Sequence, residues 1–333
     1  QCFKWAAENK PWKDLLADRG SPLAKVKLTP RPRKGGMKPK KVGNVDGHIA
    51  TEPRGRVLTP PEIVELRAVI GELNVRWQTT PTGQRLTLVR PLKSETELAL
   101  WIQLGTMCRI GELLMTRWEH VNLDEGIWRV PAENTKTKQA WTVYMSDFVK
   151  SKFKALHKLT RDTPWCFPSR NTSTRDGVRY APGTTHVCVK SVTKQVGDRQ
   201  QRFRALGSKA LKNRRNDDSL VLTTGANGDW TPHDLRRTGY TALRALGFSN
   251  DVADLCSNHT VEATGTRGTY DQYDYEDEMR EAWESWGDLL DALLVDTRRE
   301  GPLPSKWKRK EVQGWLLQRA PKQESRVVET ELI

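Results

Sequence analysis

The chain reads Thr-Pro-His-Asp-Leu-Arg-Arg-Thr over residues 231–238, and this stretch predicts a helix that presents positive charge. Proline is favoured at the first position of a helix, so the helix is predicted to begin at Pro232 and to continue to Leu246. The i, i+3 spacing places His233 and Arg236 on one face of it. An imidazole and a guanidinium side by side near a helix N-terminus form a favourable site for a phosphate.

The segments around this helix indicate a mainly α fold with one small β-hairpin. The residues Thr59-Pro60-Pro61-Glu62 supply an N-cap hydroxyl and a capping-box carboxylate for an early helix. Short alternating runs predict a hairpin with strands Ile127–Val130 and Ala140–Tyr144, joined by a polar loop at 133–139. Apolar residues at helical spacing predict further helices over residues 62–73, 95–104, 109–118, 146–159, 250–256 and 274–294.

The charge of the chain indicates a polyanionic partner. Among 333 residues, 55 are Lys or Arg and 41 are Asp or Glu, which gives a net charge of +14. Such an excess favours nucleic acid over a membrane surface as the partner. No apolar run approaches the roughly 20 residues of a membrane-spanning helix. The five cysteines are scattered, so we expect neither a disulfide framework nor a zinc site, and a cytoplasmic protein.

Two further segments carry residues suited to the same chemistry. Arg109 lies in an otherwise apolar stretch, where a guanidinium must be paired or directed at an anion, and Glu112 has the spacing to hold it. Farther along, His259 precedes a group of tyrosines that includes Tyr270 and Tyr273. Taken alone, each segment has a simpler structural interpretation, as an ion pair or as packed rings.

Taken together, these segments resemble the tyrosine recombinase family, the phage-type integrases. The residues that carry the resemblance are, in order, Arg109, a hairpin lysine, His233, Arg236, His259 and Tyr270. The segment Tyr270–Tyr275, with Arg280 and Trp283 beyond it, is most similar to integrases of satellite prophages and genomic islands. The resemblance covers about residues 57–290. It implies the catalytic-domain fold of the DNA breaking-rejoining enzymes, which is mostly helical with a small β-hairpin.

The resemblance also implies how the site transfers a DNA strand. Arg109 and Arg236 would hold the non-bridging oxygens of the scissile phosphate and stabilise the charge of the transition state. Tyr270 would attack the phosphorus and form a 3′-phosphotyrosine, with Tyr273 as the alternative nucleophile. Because the phosphotyrosine bond conserves the energy needed for rejoining, no metal, ATP or organic cofactor is expected.

The other site residues would move protons or position their neighbours. His233 is the candidate for proton transfer, and His259 would donate a hydrogen bond to the phosphate. Lys136, at the tip of the hairpin, matches the family lysine that protonates the leaving oxygen better than Lys138 does. Glu112 would orient Arg109 without taking part in the chemistry.

The resemblance gives the chain four expected regions. Residues 1–20 would be the last helix of a core-DNA-binding domain, and because the chain opens with Gln1 we expect it to be truncated at its N-terminus. Residues 21–56 form a basic Pro/Gly linker. Residues 57–294 would form the catalytic domain. The tail, 295–333, would be weakly ordered or would dock on a neighbouring protomer, with Trp307 and Trp315 able to anchor a helix.

The expected partner is double-stranded DNA at attachment sites, bound by a homotetramer, with accessory DNA-bending proteins possible and no membrane involved. A second basic run falls within 183–216, a region that we expect to be partly helical. The residues predicted to contact DNA are Lys34, Lys38, Lys40, Lys41, Lys138, Arg199, Arg202, Arg204 and Arg237. The enzyme is expected in the bacterial cytoplasm, on the nucleoid when bound to DNA.

Two alternatives stay open at this point. A type IB topoisomerase would use the same chemistry, and only the DNA partner and the assembly would distinguish it. A decayed integrase could keep its basic surface and bind DNA without cleaving it. The favoured hypothesis is a site-specific recombinase that integrates or excises a mobile element.

Overall fold

A computed structural model describes residues 55–175, 178–203, 216–259, 273–295 and 302–317. These residues confirm the mainly α fold with a small sheet. The helices are α1 (Pro60–Thr79), α2 (Ser94–Thr106), α3 (Ile110–Leu114), α4 (Asp147–Thr160), α5 (Ser191–Asp198), α6 (Pro232–Leu246), α7 (Asn250–Cys256), α8 (Glu276–Leu294) and α9 (Arg309–Leu317). The strands are β1 (Val121–Asn122), β2 (Ile127–Val130), β3 (Trp141–Tyr144), β4 (Ser173–Arg175) and β5 (Val178–Tyr180).

Helix α2 lies in the core, and α4, α6 and α8 pack against it. Every residue from Ala99 to Thr106 is buried, so this helix has no solvent face along its second half. Two indoles of α8 close the core from one side, because Trp283 donates to the carbonyl of Thr106 at 3.4 Å and Trp286 to that of Leu104 at 2.8 Å. Large rings are thereby buried with their N–H groups satisfied.

Helix α6 approaches the end of α2 closely because it carries Gly239. A Cβ atom at this position would lie 2.5 Å from Cγ of Met107 and 3.1 Å from the carbonyl oxygen of Leu104. Met107 ends α2 in the left-handed region, with φ of 58°. This turn directs the chain from α2 into α3 beside α6, and it brings together the segments that contain Arg109 and Arg236.

Helix α1 begins at the predicted capping box. The backbone N–H of Thr59 donates to Glu62 Oε2 at 2.8 Å, and the N–H of Glu62 donates to Thr59 Oγ1 at 3.4 Å. The helix ends at Thr79 instead of the predicted residue 73. Pro81 supplies the stop, because a residue that precedes a proline is disfavoured in helical conformation and Thr80 is extended.

The predicted helix over 109–118 is wrong in its extent. Helix α3 spans only Ile110–Leu114, and Arg109 is its extended N-cap residue. Beyond α3, the backbone N–H of Trp118 bonds to the carbonyl of Pro164 at 3.0 Å. Pairing with this distant segment takes the chain out of the helix, and residues 118–120 form a 3₁₀ turn.

The predicted hairpin forms, and a third strand extends it. Strands β2 and β3 pair antiparallel with Ile127 opposite Tyr144 and Val130 opposite Trp141. The two-residue strand β1 adds to the free edge of β2 and was too short to predict. A second hairpin, β4–β5, was also missed. Helix α5 and a 3₁₀ turn, Gln201–Phe203, lie in the basic region that was predicted to be partly helical.

Part of the predicted tail packs against the rest of the chain. Trp307 donates its indole N–H to the carbonyl of Leu58 at 2.6 Å, and its ring lies 5.6 Å from that of Trp286. Val312 and Trp315 of α9 are buried. The prediction that these tryptophans anchor a helix is therefore confirmed, and residues 302–317 are ordered against their own chain.

Several predictions fall outside the described residues. They concern the linker and the helix before it, the tail beyond residue 317, and the site residues Lys34, Lys38, Lys40, Lys41, Arg204 and Tyr270. Within the described ranges, no helix is both long enough and apolar enough to cross a membrane.

Candidate active site

The Arg109–Glu112 pair forms as the spacing predicts, but at a helix start. Glu112 Oε2 accepts from the backbone N–H of Arg109 at 2.9 Å, and Glu112 Oε1 accepts from Arg109 Nη1 at 2.8 Å. Glu112 is buried, whereas a quarter of the Arg109 side chain is exposed. One carboxylate therefore caps α3 and fixes the guanidinium, which keeps a face open to a ligand.

Arg236 is a buried arginine with an incomplete set of partners. Its side chain is 3% exposed, and Nη1 donates to the carbonyl of Met107 at 2.7 Å. Its Nη2 is also buried and finds no hydrogen-bond partner among the described residues. Burial and the positive charge of Arg109 lower the pKa of Arg236 to about 10. The guanidinium stays protonated at neutral pH, and a bound anion would relieve its unfavourable environment.

His233 lies in the first turn of α6, one turn before Arg236. Partial burial and the positive charges of Arg237 and Arg236 lower its pKa. The imidazole is therefore neutral at physiological pH, so it can accept a proton. This environment suits the predicted role of His233 in proton transfer.

His259 is oriented from the end of α7. Its Nδ1 lies 3.1 Å from Asp254 Oδ1 and 3.3 Å from Ser257 Oγ, and its backbone N–H donates to the carbonyl of Asp254 at 2.9 Å. Because the carboxylate accepts from Nδ1–H, the other ring nitrogen is left to face a ligand. Burial lowers the pKa of the His259 imidazole, and repulsion by the positive charge of Arg236 lowers it further.

The hairpin lysines are exposed in the loop between β2 and β3. Lys138 is in the left-handed region with φ of 59°, whereas Lys136 is not. Thr135 Oγ1 donates to the carbonyl of Gln139 at 2.9 Å and closes the loop around both lysines. At the base of the hairpin, Trp141 donates to the carbonyl of Leu255 in α7 at 3.0 Å. This bond ties the lysine loop to the helix that precedes His259.

The hydroxyl of Tyr273, the alternative nucleophile, is already hydrogen-bonded to a carboxylate. The side chain is 57% exposed, and its hydroxyl donates to Glu278 Oε1 at 2.8 Å. This hydrogen bond to a carboxylate raises the pKa of Tyr273, which disfavours the phenolate needed for attack. Tyr270 itself lies outside the described residues.

Three of the arginines predicted to contact DNA, those among the described residues, have partners within the chain. Arg199 donates to the carbonyls of Gln195, Arg90 and Pro91. Arg202 pairs with Asp218 at 3.2 Å, and Arg237 pairs with Asp234 at 2.6 Å. These bonds stabilise the fold, and the predicted DNA contacts of the three arginines stay predictions.

Sequence reasoning missed four residues that position the site: Met107, Trp141, Asp254 and Asn258. Two of them accept a hydrogen bond from a guanidinium at the backbone carbonyl. Arg236 donates to the carbonyl of Met107, and Arg109 Nη2 donates to that of Asn258 at 3.1 Å. A carbonyl acceptor has no sequence signature. Among the residues that the structure describes, no three His, Cys, Asp or Glu side chains converge into a metal site.

Two comparisons of the sequence with known proteins gave different results. A family model described as the phage integrase family matches residues 82–275. A search of the curated proteins finds no match.

Solved structures similar to this chain have low sequence identity. The integrase from mycobacterium phage Brujita is 14% identical, with 85% of this chain and 70% of that chain covered and a TM-score of 0.39. The XerA recombinase is 16% identical over 72% of this chain and 68% of that chain, with a TM-score of 0.41. The Tn1549 transposon integrase in complex with transposon right end DNA is 16% identical over 69% and 66%, with a TM-score of 0.34.

Proposed function

The chain belongs to the phage integrase family, and from that premise we propose that it is a site-specific DNA recombinase. It would cleave and rejoin duplex DNA through a 3′-phosphotyrosine, and thereby integrate or excise a mobile element. One observation carries the proposal most directly: Arg236 is buried with Nη2 unpartnered among the described residues, next to the charge of Arg109. A buried guanidinium with an unpartnered nitrogen, beside a second one that is partly exposed, forms a suitable receptor for a phosphodiester.

The arginines would do most of the catalytic work on the phosphate. A phosphodiester resists nucleophilic attack because its oxygens already carry negative charge, and attack concentrates more charge on them. Arg109 and Arg236 are held in place before substrate binds, by Glu112 and by the carbonyl of Met107. Donors that are already fixed stabilise the transition state without reorganising during the reaction.

Proton transfer would use the histidines and the hairpin lysine. Tyr270 must lose a proton to attack, and neutral His233 is the proposed acceptor. His259, whose Nδ1–H is held by Asp254, would donate from its other ring nitrogen to the phosphate in its protonated form, which the negative charge of the bound phosphate favours. Lys136 would protonate the leaving 5′-oxygen. Attack forms the bond between the Tyr270 oxygen and phosphorus and breaks the bond to the 5′-oxygen, and rejoining reverses both changes.

We propose a relative of satellite-prophage integrases with a catalytic domain over 57–294, which acts in the bacterial cytoplasm as a homotetramer on attachment-site DNA, with accessory bending proteins. The net charge of +14 supports the DNA partner. Phosphate contacts would then make binding weaken steeply as salt is raised.

A covalent trap tests the proposal. The full chain is incubated with nicked duplexes that span the junctions between its mobile element and host DNA, and the products are separated on a denaturing gel. A protein–DNA adduct, with strand joining between two duplexes, is the expected result. Relaxation of arbitrary supercoiled DNA without strand exchange would point to a topoisomerase instead. No adduct from a chain extended by the expected N-terminal domain, with DNA binding retained, would favour a decayed, DNA-binding protein.

The rate of adduct formation is expected to fall on the acid side of neutrality. His233 must be neutral to accept a proton, and its lowered pKa keeps it neutral at pH 7, so the loss should come only below its ordinary pKa of about 6.5. His233→Gln should slow the reaction by about 10²-fold or more and flatten this acid limb. Single-turnover rates from pH 5 to pH 8 provide the measurement. If His259→Gln flattens the limb and His233→Gln does not, the roles of the two histidines are reversed.

A further inference from the structure

Asn258 joins two segments of the proposed active site that are far apart in the sequence. It is 9% exposed and directly precedes His259. Its amide Nδ2 donates to Glu112 Oε1 at 3.2 Å. Its backbone carbonyl accepts from Arg109 Nη2 at 3.1 Å. One residue therefore contacts both members of the Arg109–Glu112 pair.

The three residues close a triangle of hydrogen bonds. Glu112 Oε1 accepts from Arg109 Nη1 at 2.8 Å as well as from the Asn258 amide. A carboxylate can only accept, so Asn258 must present its NH₂ group to it. Because each member bonds to the other two, Arg109 cannot turn without breaking a bond to α3 or to the segment after α7.

The backbone of Asn258 explains why this residue suits the position. Its φ of 50° is in the left-handed region, which glycine adopts freely and asparagine tolerates better than most residues. Glycine would keep the turn and lose the amide, whereas alanine would lose the amide and strain the turn. Asparagine supplies both the conformation and the hydrogen-bond donor.

The turn at Asn258 also sets the course of the chain into His259. The N–H of Asn258 bonds to the carbonyl of Leu255 at 3.0 Å, and the N–H of His259 bonds to that of Asp254 at 2.9 Å. The imidazole is then held by the Asp254 carboxylate at 3.1 Å. A displacement of Asn258 would therefore move Arg109 and His259 together.

We propose that Asn258 is a positioning residue that fixes the Arg109 guanidinium relative to His259, so that both side chains meet one scissile phosphate. The inference rests on the proposed function and adds to it a residue that does not touch the DNA itself.

Three variants of the full chain test the inference, with single-turnover cleavage of a nicked duplex, DNA affinity and melting temperature measured for each. Asn258→Gly should cleave about 10-fold more slowly, and Asn258→Asp about 100-fold, because the aspartate turns an acceptor toward Glu112. Asn258→Ala should also lose melting temperature through its strained turn. DNA affinity of the glycine variant should stay within about twofold of the wild type.

A pH series separates positioning from general damage. In Asn258→Asp the new carboxyl group faces the Glu112 carboxylate and the Arg109 guanidinium. Two adjacent carboxylates take up a proton more readily than one, and the shared proton restores a donor between them. The cleavage rate of this variant relative to the wild type should therefore rise as pH falls from 8 to 6. The glycine variant should keep a constant ratio.

A matched control lies at the start of α1. Asn227 Nδ2 donates to Glu62 Oε1 at 3.0 Å, and Arg56 Nη2 donates to the same oxygen at 2.6 Å. Asn227→Asp also places a second carboxylate beside a buried glutamate, at a more exposed position, so it should lower the melting temperature and leave cleavage unchanged. The inference would be overturned if Asn258→Gly and Asn258→Asp cleaved at the wild-type rate. It would also be overturned if cleavage in the Asn258 and Asn227 variants fell only in proportion to their melting temperatures. If the wild type forms no adduct, the proposed function fails, and the positioning role falls with it.

Discussion

Replacing Tyr270 with phenylalanine is expected to abolish the covalent adduct with DNA. The substitution removes one oxygen and keeps the ring, so packing and DNA affinity should change little. A free phenol has a pKa of about 10 and attacks poorly at neutral pH. The positive charges of Arg109 and Arg236 would favour its phenolate, and His233 would accept the proton. Denaturing gels of nicked-duplex reactions measure the loss, which should be at least about 10⁴-fold.

Tyr273→Phe is the matched control. The Tyr273 hydroxyl is already bonded to Glu278, and this bond raises its pKa, so the residue would have to give up its partner before it could attack. We expect the adduct to form at a rate within about twofold of the wild type. An adduct that survives Tyr270→Phe and disappears in Tyr273→Phe would transfer the nucleophile to Tyr273 and leave the proposed reaction intact.

Helix starts could be predicted because their signals are local. Thr59 and Glu62 form a capping box within four residues, and Pro232 opens α6 where the sequence predicts. The same local reasoning failed after Arg109. The backbone there bonds to Pro164, and nothing between residues 109 and 118 indicates that partner. The hydrogen bond to this distant residue outweighed the helix propensity of the segment.

The polar site shows the same division between local and distant contacts. The Arg109–Glu112 pair follows from i, i+3 spacing. The bond from Trp141 to the carbonyl of Leu255 and the bonds around Asn258 cross long stretches of sequence and use backbone atoms, which every residue has. Residue identity therefore predicts candidate charged groups, whereas only the fold reveals what holds those groups in place.

Positive charge alone likewise does not show what an arginine contacts. Arg199 is counted in a basic run, yet its guanidinium bonds to the carbonyls of Arg90 and Pro91 and connects α5 to the segment before α2. An arginine serves equally as a phosphate ligand and as a donor to backbone carbonyls. The composition of a chain gives the number of its arginines, but it does not give the hydrogen-bond partner of each one.

Replacing Arg236 with methionine should separate catalysis from stability. The guanidinium would contact the transition state, so we expect adduct formation to fall about 10²–10³-fold. The free energy of unfolding should fall by less than about 1.5–3 kcal/mol, the net contribution of a bond from a charged donor to the carbonyl of Met107. Removing a buried charge with an unpartnered nitrogen offsets that loss and could exceed it. Urea unfolding and single-turnover cleavage measure the two quantities.

Arg56→Met should give the opposite result, a loss of stability without a loss of cleavage, because Arg56 belongs to a buried ion pair. Arg56 bonds to Glu62 at 2.6 Å, and Glu62 has no exposed side-chain surface, so the variant leaves a buried carboxylate without its cation. Breaking such a pair costs about 3 kcal/mol or more, whereas cleavage should be unchanged because α1 contributes no proposed catalytic residue. If Arg236→Met instead unfolds as readily as Arg56→Met and cleaves at the wild-type rate, Arg236 is a structural arginine. Its unpartnered nitrogen would then have no bearing on phosphate binding.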